Sequence, residues 1–289
     1  TQGQGEDNRH WFPSYDYPND KATTEVIMTV RGDYETLSNG VLKSRKKNAD
    51  GTATWHWSQE QPHSVYLVML AAGHYKVYED SWAGIPVRSY YYPNDPVADV
   101  RRAYGTTAEM LKFFSQKIGI RYPWPKYAQI PVAHYLYGGM ENTTATVLAD
   151  TRAVVDARSS IDYTADGLIA HELAHMWWGY YLTYIDWENA WLNEGFATYF
   201  QQCWTQHRWG EEEFVHGRRE GVNGYLVWTD ANGRVPVVTD KGSPSQNVYA
   251  KGASVLHMLR TMLGEEQFWR VIKTYAERFA LSSVETNDF

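Results

Sequence analysis

His171-Glu172-Leu173-Ala174-His175 opens the stretch that decides how this chain reads, and it closes eighteen intervening residues later at Glu194, in Trp191-Leu192-Asn193-Glu194-Gly195-Phe196-Ala197. Histidines at i and i+4 stand on one face of an α-helix, one turn apart. Two imidazoles so placed can chelate one Zn²⁺, with the intervening glutamate positioned to reach a metal-bound water. Leu168, Ile169, Leu173, Met176 and Trp177 are apolar, Asp166 stands near the start and Gly179 follows the last turn, which predicts a helix over about 162–179. Burying two imidazoles and a carboxylate on such an apolar helix is costly unless they have a partner. Glu194 falls on the next helical stretch, about 188–207. Two antiparallel helices joined through Trp178–Asp186 bring its carboxylate beside the imidazoles. Three ligands of the type His₂Glu leave one position for water, the catalytic arrangement of zinc.

Outward from this centre, helical patterns continue at about 210–229, 248–263 and 265–281. Glu211-Glu212-Glu213 suits a helix start, where negative charge favours the dipole. Upstream, Asp95-Pro96 reads as a helix start, with Asp95 as the cap. Val97, Val100, Tyr104, Leu111, Phe114 and Ile118 follow at helical spacing until Gly119. Tyr122–Tyr127 reads as a loop and Ile130–Tyr137 as a strand, with Gly138-Gly139 as a turn or bulge at its end. The first ~90 residues read as β, with strands at Thr23–Arg31, Thr52–Trp57, Ser64–Ala72, His74–Trp82 and Pro86–Tyr92. Asn39-Gly40 and Asp50-Gly51 are hairpin-type turn pairs, and Arg45-Lys46-Lys47 reads as a solvated loop.

Composition narrows the function class. The 289 residues carry 27 basic and 34 acidic side chains, a net charge of −7, which argues against nucleic acid or an anionic membrane surface as partner. The single cysteine, Cys203, excludes an internal disulfide framework and reads as packing. No apolar run approaches 18 residues, so no membrane span is expected. The 13 Trp and 22 Tyr suit either a large aromatic core or aromatic-lined clefts. Thr1 opens the chain and Ser283–Phe289 closes it, with Thr286 or Asn287 suited to cap a further helix; both ends read as cut from a longer protein. Its compartment, cytoplasmic or not, is left open.

His171-Glu172-x-x-His175 with Glu194 resembles the gluzincin zinc peptidases, and more narrowly the aminopeptidase N family, which includes leukotriene hydrolase. Gly138-Gly139-Met140-Glu141-Asn142 is similar to that family's exopeptidase motif, usually G-x-M-E-N. Trp191–Gly195 and Tyr249-Ala250-Lys251-Gly252 also match its patterns, and the likeness runs from Gln2 to the end.

The resemblance implies an α+β fold. A remnant of an antiparallel β-sheet domain covers 1–92, and a thermolysin-like catalytic domain, mostly helical with a small sheet, covers 93–289. It implies one Zn²⁺ per chain on His171, His175 and Glu194, with Glu172 as general base. On residues alone, Gly138–Asn142 reads either as a hairpin turn with a surface glutamate or as exposed backbone beside a carboxylate, where glycines let another chain lie close. The family likeness implies the second: Glu141 holds the substrate's free α-amino group, and Gly138, Gly139, Met140 and Asn142 pair with an extended peptide on an edge strand beside the metal. Gln4 reads either as part of a frayed terminus or, by the same likeness, as a second amine contact. Tyr249 is selected only by the family, as donor to the oxyanion.

The reaction expected is removal of N-terminal residues from peptides with a free amino terminus. The resemblance also implies a C-terminal helical domain in the parent protein beyond this sequence. The alternatives are a gluzincin endopeptidase, which has no use for an amine anchor, a bifunctional epoxide hydrolase, and a zinc-binding module without activity.

Overall fold

The computed structural model describes residues 3, 5–159, 164–239 and 246–289. Five strands come first: β1 (Lys21–Arg31), β2 (Glu35–Ser38), β3 (Val41–Lys47), β4 (Thr52–Ser64) and β5 (Leu70–Gly73). A hairpin of β6 (Lys76–Trp82) and β7 (Ile85–Tyr91) follows, then helices α1 (Val97–Tyr104) and α2 (Thr107–Ile118). Strands β8 (Tyr127–Val132), β9 (Gly139–Met140) and β10 (Ala145–Ala149) lead through the short α3 (Asp150–Ala153) to α4 (Asp166–Ala174). The remainder is helical apart from β11 (Thr183–Tyr184) and β12 (Ser283–Val284), with α5 (Trp191–Trp209), α6 (Glu211–Asn232), α7 (Gly252–Leu263) and α8 (Glu265–Arg278). This is the α+β succession expected, strands first and helices after.

Two compact units result, one of residues 1–109 and 124–168, the other of 110–123 and 169–289. In the first, β1, β4 and β3 form an antiparallel sheet in that order, and β2 pairs with β5. On β1, Val26, Met28 and Val30 turn inward while their neighbours are exposed, the period-2 pattern of a one-faced sheet. A second, mixed sheet has the order β6-β7-β8-β10-β9. It joins β7 to β8 and β8 to β10 in parallel, and β9 lies antiparallel at its edge. This sheet draws strands from both sides of Tyr92.

The second unit is built around aromatic side chains. Trp177, Trp178, Trp204, Tyr199 and Phe196 are fully buried. Trp178 packs against Phe196 at 4.7 Å and Phe200 at 5.4 Å between ring centroids. The indole of Trp177 donates to Ile120 O at 3.1 Å. These aromatics serve the core, as does Cys203, whose thiol burial pushes up to about 12, out of reach of thiolate chemistry.

Several local expectations are overturned. Ser64–Ala72 is not one strand. Val65–Leu67 form a 3₁₀ turn, in which Val65 N–H donates to Asp20 O at 2.9 Å and Val68 N–H to Val65 O at 3.2 Å. All three residues are buried, so the run carries no periodicity from which to see the break. Arg45-Lys46-Lys47 lie in β3, paired with Trp55, Thr54 and Ala53, their side chains exposed on the sheet edge. Asp50-Gly51 does join the β3–β4 hairpin, but Asn39-Gly40 joins strands of two different sheets. Gly40, at φ +72°, passes so close to β4 that a Cβ would stand 1.9 Å from Ser58 O. The helix from Val97 to Ile118 is broken after Tyr104, where the buried Thr107 hydroxyl accepts from Gln129 Nε2 at 3.0 Å. It begins at Val97 after Pro96, because Asp95 accepts from Tyr92 N–H at 2.8 Å instead of capping. β8 ends at Val132 where the strand was expected to continue to Tyr137. Thr286 opens a 3₁₀ turn and donates to Asn189 Oδ1.

His63 gives the first unit a pH dependence. Its ring is fully buried between Thr24 Oγ1 at 2.9 Å from Nε2 and Thr143 Oγ1 at 3.0 Å from Nδ1. Burial, with the charge of Lys21, pushes the imidazole down to about 3. The folded state therefore keeps it neutral while the unfolded chain protonates near 6.5. The stability this site contributes is complete above pH 6.5 and is lost as pH falls toward 3, at up to roughly 1.4 kcal/mol per unit. Denaturant titrations at pH 7, 5.5 and 4 should show the gap between wild type and His63→Gln closing at each step. A constant gap would refute the assignment.

Candidate metal centre

α4 ends sooner than expected, at Ala174, and this shapes the site. Met176 N–H donates to Leu173 O at 3.1 Å and Trp178 N–H to Ala174 O at 3.1 Å, which tightens and closes the last turn. The returning chain places Trp178 O 2.9 Å from His175 Nδ1. A carbonyl only accepts, so Nδ1 carries a proton and Nε2 is the ring atom left to ligate a metal. His171 Nε2 stands 3.2 Å from that atom. The Glu194 carboxylate meets both rings, with Oε2 3.2 Å from His171 Nε2 and 3.4 Å from His175 Nε2.

Glu194 reaches this point from the first turn of α5, where the helix N-terminus favours an anion. Burial pushes its carboxyl up, but the charges and hydrogen bonds of His175 and His171 outweigh that and hold it below the usual carboxylate range. Burial pushes the His171 imidazole down, against the opposing pull of Glu194. Ligation of a cation by both Nε2 atoms requires neutral imidazoles, which with the ionised carboxylate gives a site of charge −1, suited to a divalent cation.

The donor atoms test that reading. Zinc bound tetrahedrally at about 2.0–2.1 Å needs its ligand atoms about 3.3 Å apart. The three edges here, 3.2, 3.2 and 3.4 Å, have that size. Nitrogen and carboxylate oxygen in this number suit zinc among the common ions. Gln201, two turns beyond Glu194 on α5, adds a weaker pull that raises the His171 imidazole.

Tyr249 lies in a π-helical turn, Asn247–Lys251, that precedes α7. Such turns insert one extra residue per helical turn and recur at functional sites. Its ring stacks on His171 at 5.9 Å between centroids, inclined by 25°. Two glycines permit the approach. A Cβ on Gly195 would stand 2.9 Å from Gly252 Cα and 3.2 Å from Val248 O, so α5 and the π turn meet backbone to backbone. Glu194 adjoins one side of this contact and Tyr249 the other.

Gly138–Asn142 belong to the first unit. Gly139 and Met140 form the edge strand β9, paired with Leu148 and Val147. Met140, Glu141 and Asn142 are buried. The reading of a turn with a surface glutamate is thereby excluded. Gln4 lies outside the described residues.

His171, His175 and Glu194 form a candidate metal-binding group on two successive helices, with a glutamate beside the first histidine, a donor set of the kind that mononuclear metallohydrolases use. Residues 102–289 match the Peptidase family M1 domain and residues 1–67 the Peptidase M1 N-terminal domain, and the chain belongs to peptidase family M1. It is similar to glutamyl aminopeptidase of Rattus norvegicus, 28% identical over 301 aligned residues that cover all of this chain and 32% of the relative. Aminopeptidase M1 of Arabidopsis thaliana is 31% identical over 303, covering all of this chain and 34% of the relative. Mitochondrial aminopeptidase 2 of Saccharomyces cerevisiae is 30% identical over 305, again covering all of this chain and 31% of the relative. The chain thus spans about a third of the length of the curated relatives it matches. Among the described residues no helix is long and apolar enough to cross a membrane.

Proposed function

We propose that this chain carries the catalytic centre of a zinc aminopeptidase, which removes residues from peptides with a free amino terminus. The triangle of His171, His175 and Glu194 donor atoms, sized for one tetrahedral ion, carries the proposal. Zn²⁺ held by these residues supplies a Lewis acid for the scissile carbonyl and lowers the pKa of its water. Glu172 accepts a proton from the attacking water at its carboxylate and returns it to the leaving nitrogen, a transfer worth about 10²–10⁴ in rate. The Tyr249 hydroxyl donates to the oxyanion of the tetrahedral species. Glu141 binds the substrate's ammonium by a charge-assisted hydrogen bond, and Gln4 assists it. Gly138, Gly139, Met140 and Asn142 present edge-strand backbone along which an extended peptide is aligned. Fixing the amino terminus in this way sets the register, so that one residue leaves per cut. The greater length of the relatives agrees with a C-terminal helical domain in the parent protein that limits entry to short peptides.

One experiment separates this reading from its rivals. The zinc-loaded protein is given one short peptide with a free and with an acetylated N-terminus, beside a Glu172→Ala control. Cleavage of the free form alone, absent from the control, is the expected result. Equal cleavage of both forms points to an endopeptidase and removes the role given to Glu141.

A further inference from the structure

Glu141 is held from two sides by different means. On its N-terminal side the sheet does the work: Gly139 and Met140 pair with β10, and Ala149 N–H donates to Gly138 O at 2.9 Å. On its C-terminal side the strand has ended, and buried side chains from distant parts of the sequence take over. Asn39 Nδ2 donates to Thr143 O at 2.8 Å and to Leu67 O at 3.1 Å, while its Oδ1 accepts from Met69 N–H at 2.9 Å. His63 Nδ1 stands 3.0 Å from Thr143 Oγ1. Gly40 N–H donates to Thr144 Oγ1 at 2.8 Å. Lys126 Nζ donates to Thr144 O at 3.2 Å and to Ser38 O at 2.8 Å. Asn142 adds its own bond, from Nδ2 to Leu67 O at 3.1 Å.

This network is more than closing a turn requires. Ala145 N–H to Asn142 O at 2.9 Å already closes it. Asn39, His63, Lys126, Thr143 and Thr144 are all buried. Burial, together with the charge of Arg88, pushes the Lys126 amine well below its ordinary value, the sign of a costly placement. Thr144 adopts φ +61°, which a β-branched residue rarely takes and which persists only where the surroundings impose it. Polar burial and backbone strain gathered within three residues of one carboxylate point to a position that must be held closely.

We infer that Asn39, His63 and Lys126 are positioning residues, which clamp Thr143 and Thr144 and thereby set the place of the Glu141 carboxylate for the substrate's amino group. The inference rests on the reading of Glu141 as amine anchor proposed above.

The test compares inhibition of the zinc-loaded protein by an α-amino hydroxamate and by the same hydroxamate lacking the amine. The des-amino compound reports the metal, and the ratio of the two constants reports the amine site. Glu141→Gln should bring the ratio close to one. Lys126→Met, which exchanges a costly buried amine for an apolar chain of similar length, should leave the des-amino constant within about twofold and lower the ratio about tenfold, as a displaced anchor would. Thr144→Gly fits the positive φ without strain, keeps the fold and should shift the ratio in the same direction. An unchanged ratio in Lys126→Met and Thr144→Gly, with collapse in Glu141→Gln, overturns the inference and leaves the anchor standing. Equal weakening of both compounds makes the network merely structural and also overturns it. A ratio indifferent to Glu141→Gln removes the anchor and the inference together.

Discussion

Replacing Glu172 by glutamine should lower turnover about a thousandfold, within the range for loss of a general base, while zinc stays bound. Glu172 is 5% exposed, next to His171 on α4, and the amide has the same shape. The helix, the two imidazoles and the aromatic packing behind them have no reason to move. What is lost is a group that can accept and return a proton. Glu194→Gln provides the contrast. That carboxylate is held ionised between two imidazoles, so its neutral amide should release the metal to a chelator far more readily. Rate constants under saturating peptide, with zinc content measured after dialysis, separate the two. Retained activity in Glu172→Gln, or loss of zinc from it, would reverse the roles given to these two glutamates.

Gly195→Ala should lower activity by at least about a hundredfold and lower the melting temperature. Glycine to alanine within a helix ordinarily stabilises by up to about 1 kcal/mol. Here the added methyl meets backbone, 2.9 Å from Gly252 Cα and 3.0 Å from Gly252 C, and backbone atoms cannot step aside as a flexible side chain can. α5 must move away from the π turn, and Tyr249 moves with that turn relative to Glu194. Gly252→Ala should behave alike, its Cβ falling 2.9 Å from Gly195 Cα. Gly221→Ala on α6 is the control, with nothing within 4 Å of its Cβ, and should be neutral or slightly stabilising. Paired melting and kinetic measurements decide the matter. Wild-type kinetics in Gly195→Ala would mean that the close approach does not set the position of Tyr249.

The parts of this protein that could be read in advance share one property: the residues concerned are near neighbours along the chain. The i, i+4 spacing puts the imidazoles of His171 and His175 on one side of a turn, and that follows from helix geometry alone. Alternation along β1 and the Asp50-Gly51 turn are likewise local, and both hold. Burial removes the signal where it is complete. Val65–Leu67 are apolar throughout, and a run without a polar face looks the same as strand, turn or core helix. The break after Tyr104 comes from Thr107, held by a glutamine more than twenty residues away.

Residue types at short spacing thus carried the α+β succession, the two imidazoles and the neighbouring glutamate. Their completion was a matter of three dimensions. Glu194 meets the histidines where Trp178, just past the end of α4, packs on Phe196 and Phe200 of α5, and Tyr249 meets His171 because two glycines, 57 positions apart, allow two backbones to touch. Asn39 and Gly40, which have the composition of a hairpin turn, instead clamp Thr143 and Thr144, more than a hundred residues further along. A turn-forming dipeptide states which dihedrals it tolerates, and it says nothing of which distant carbonyl its side chain will find. That choice belongs to the packing of the whole unit, where burying the amide demands a partner and only the fold supplies one.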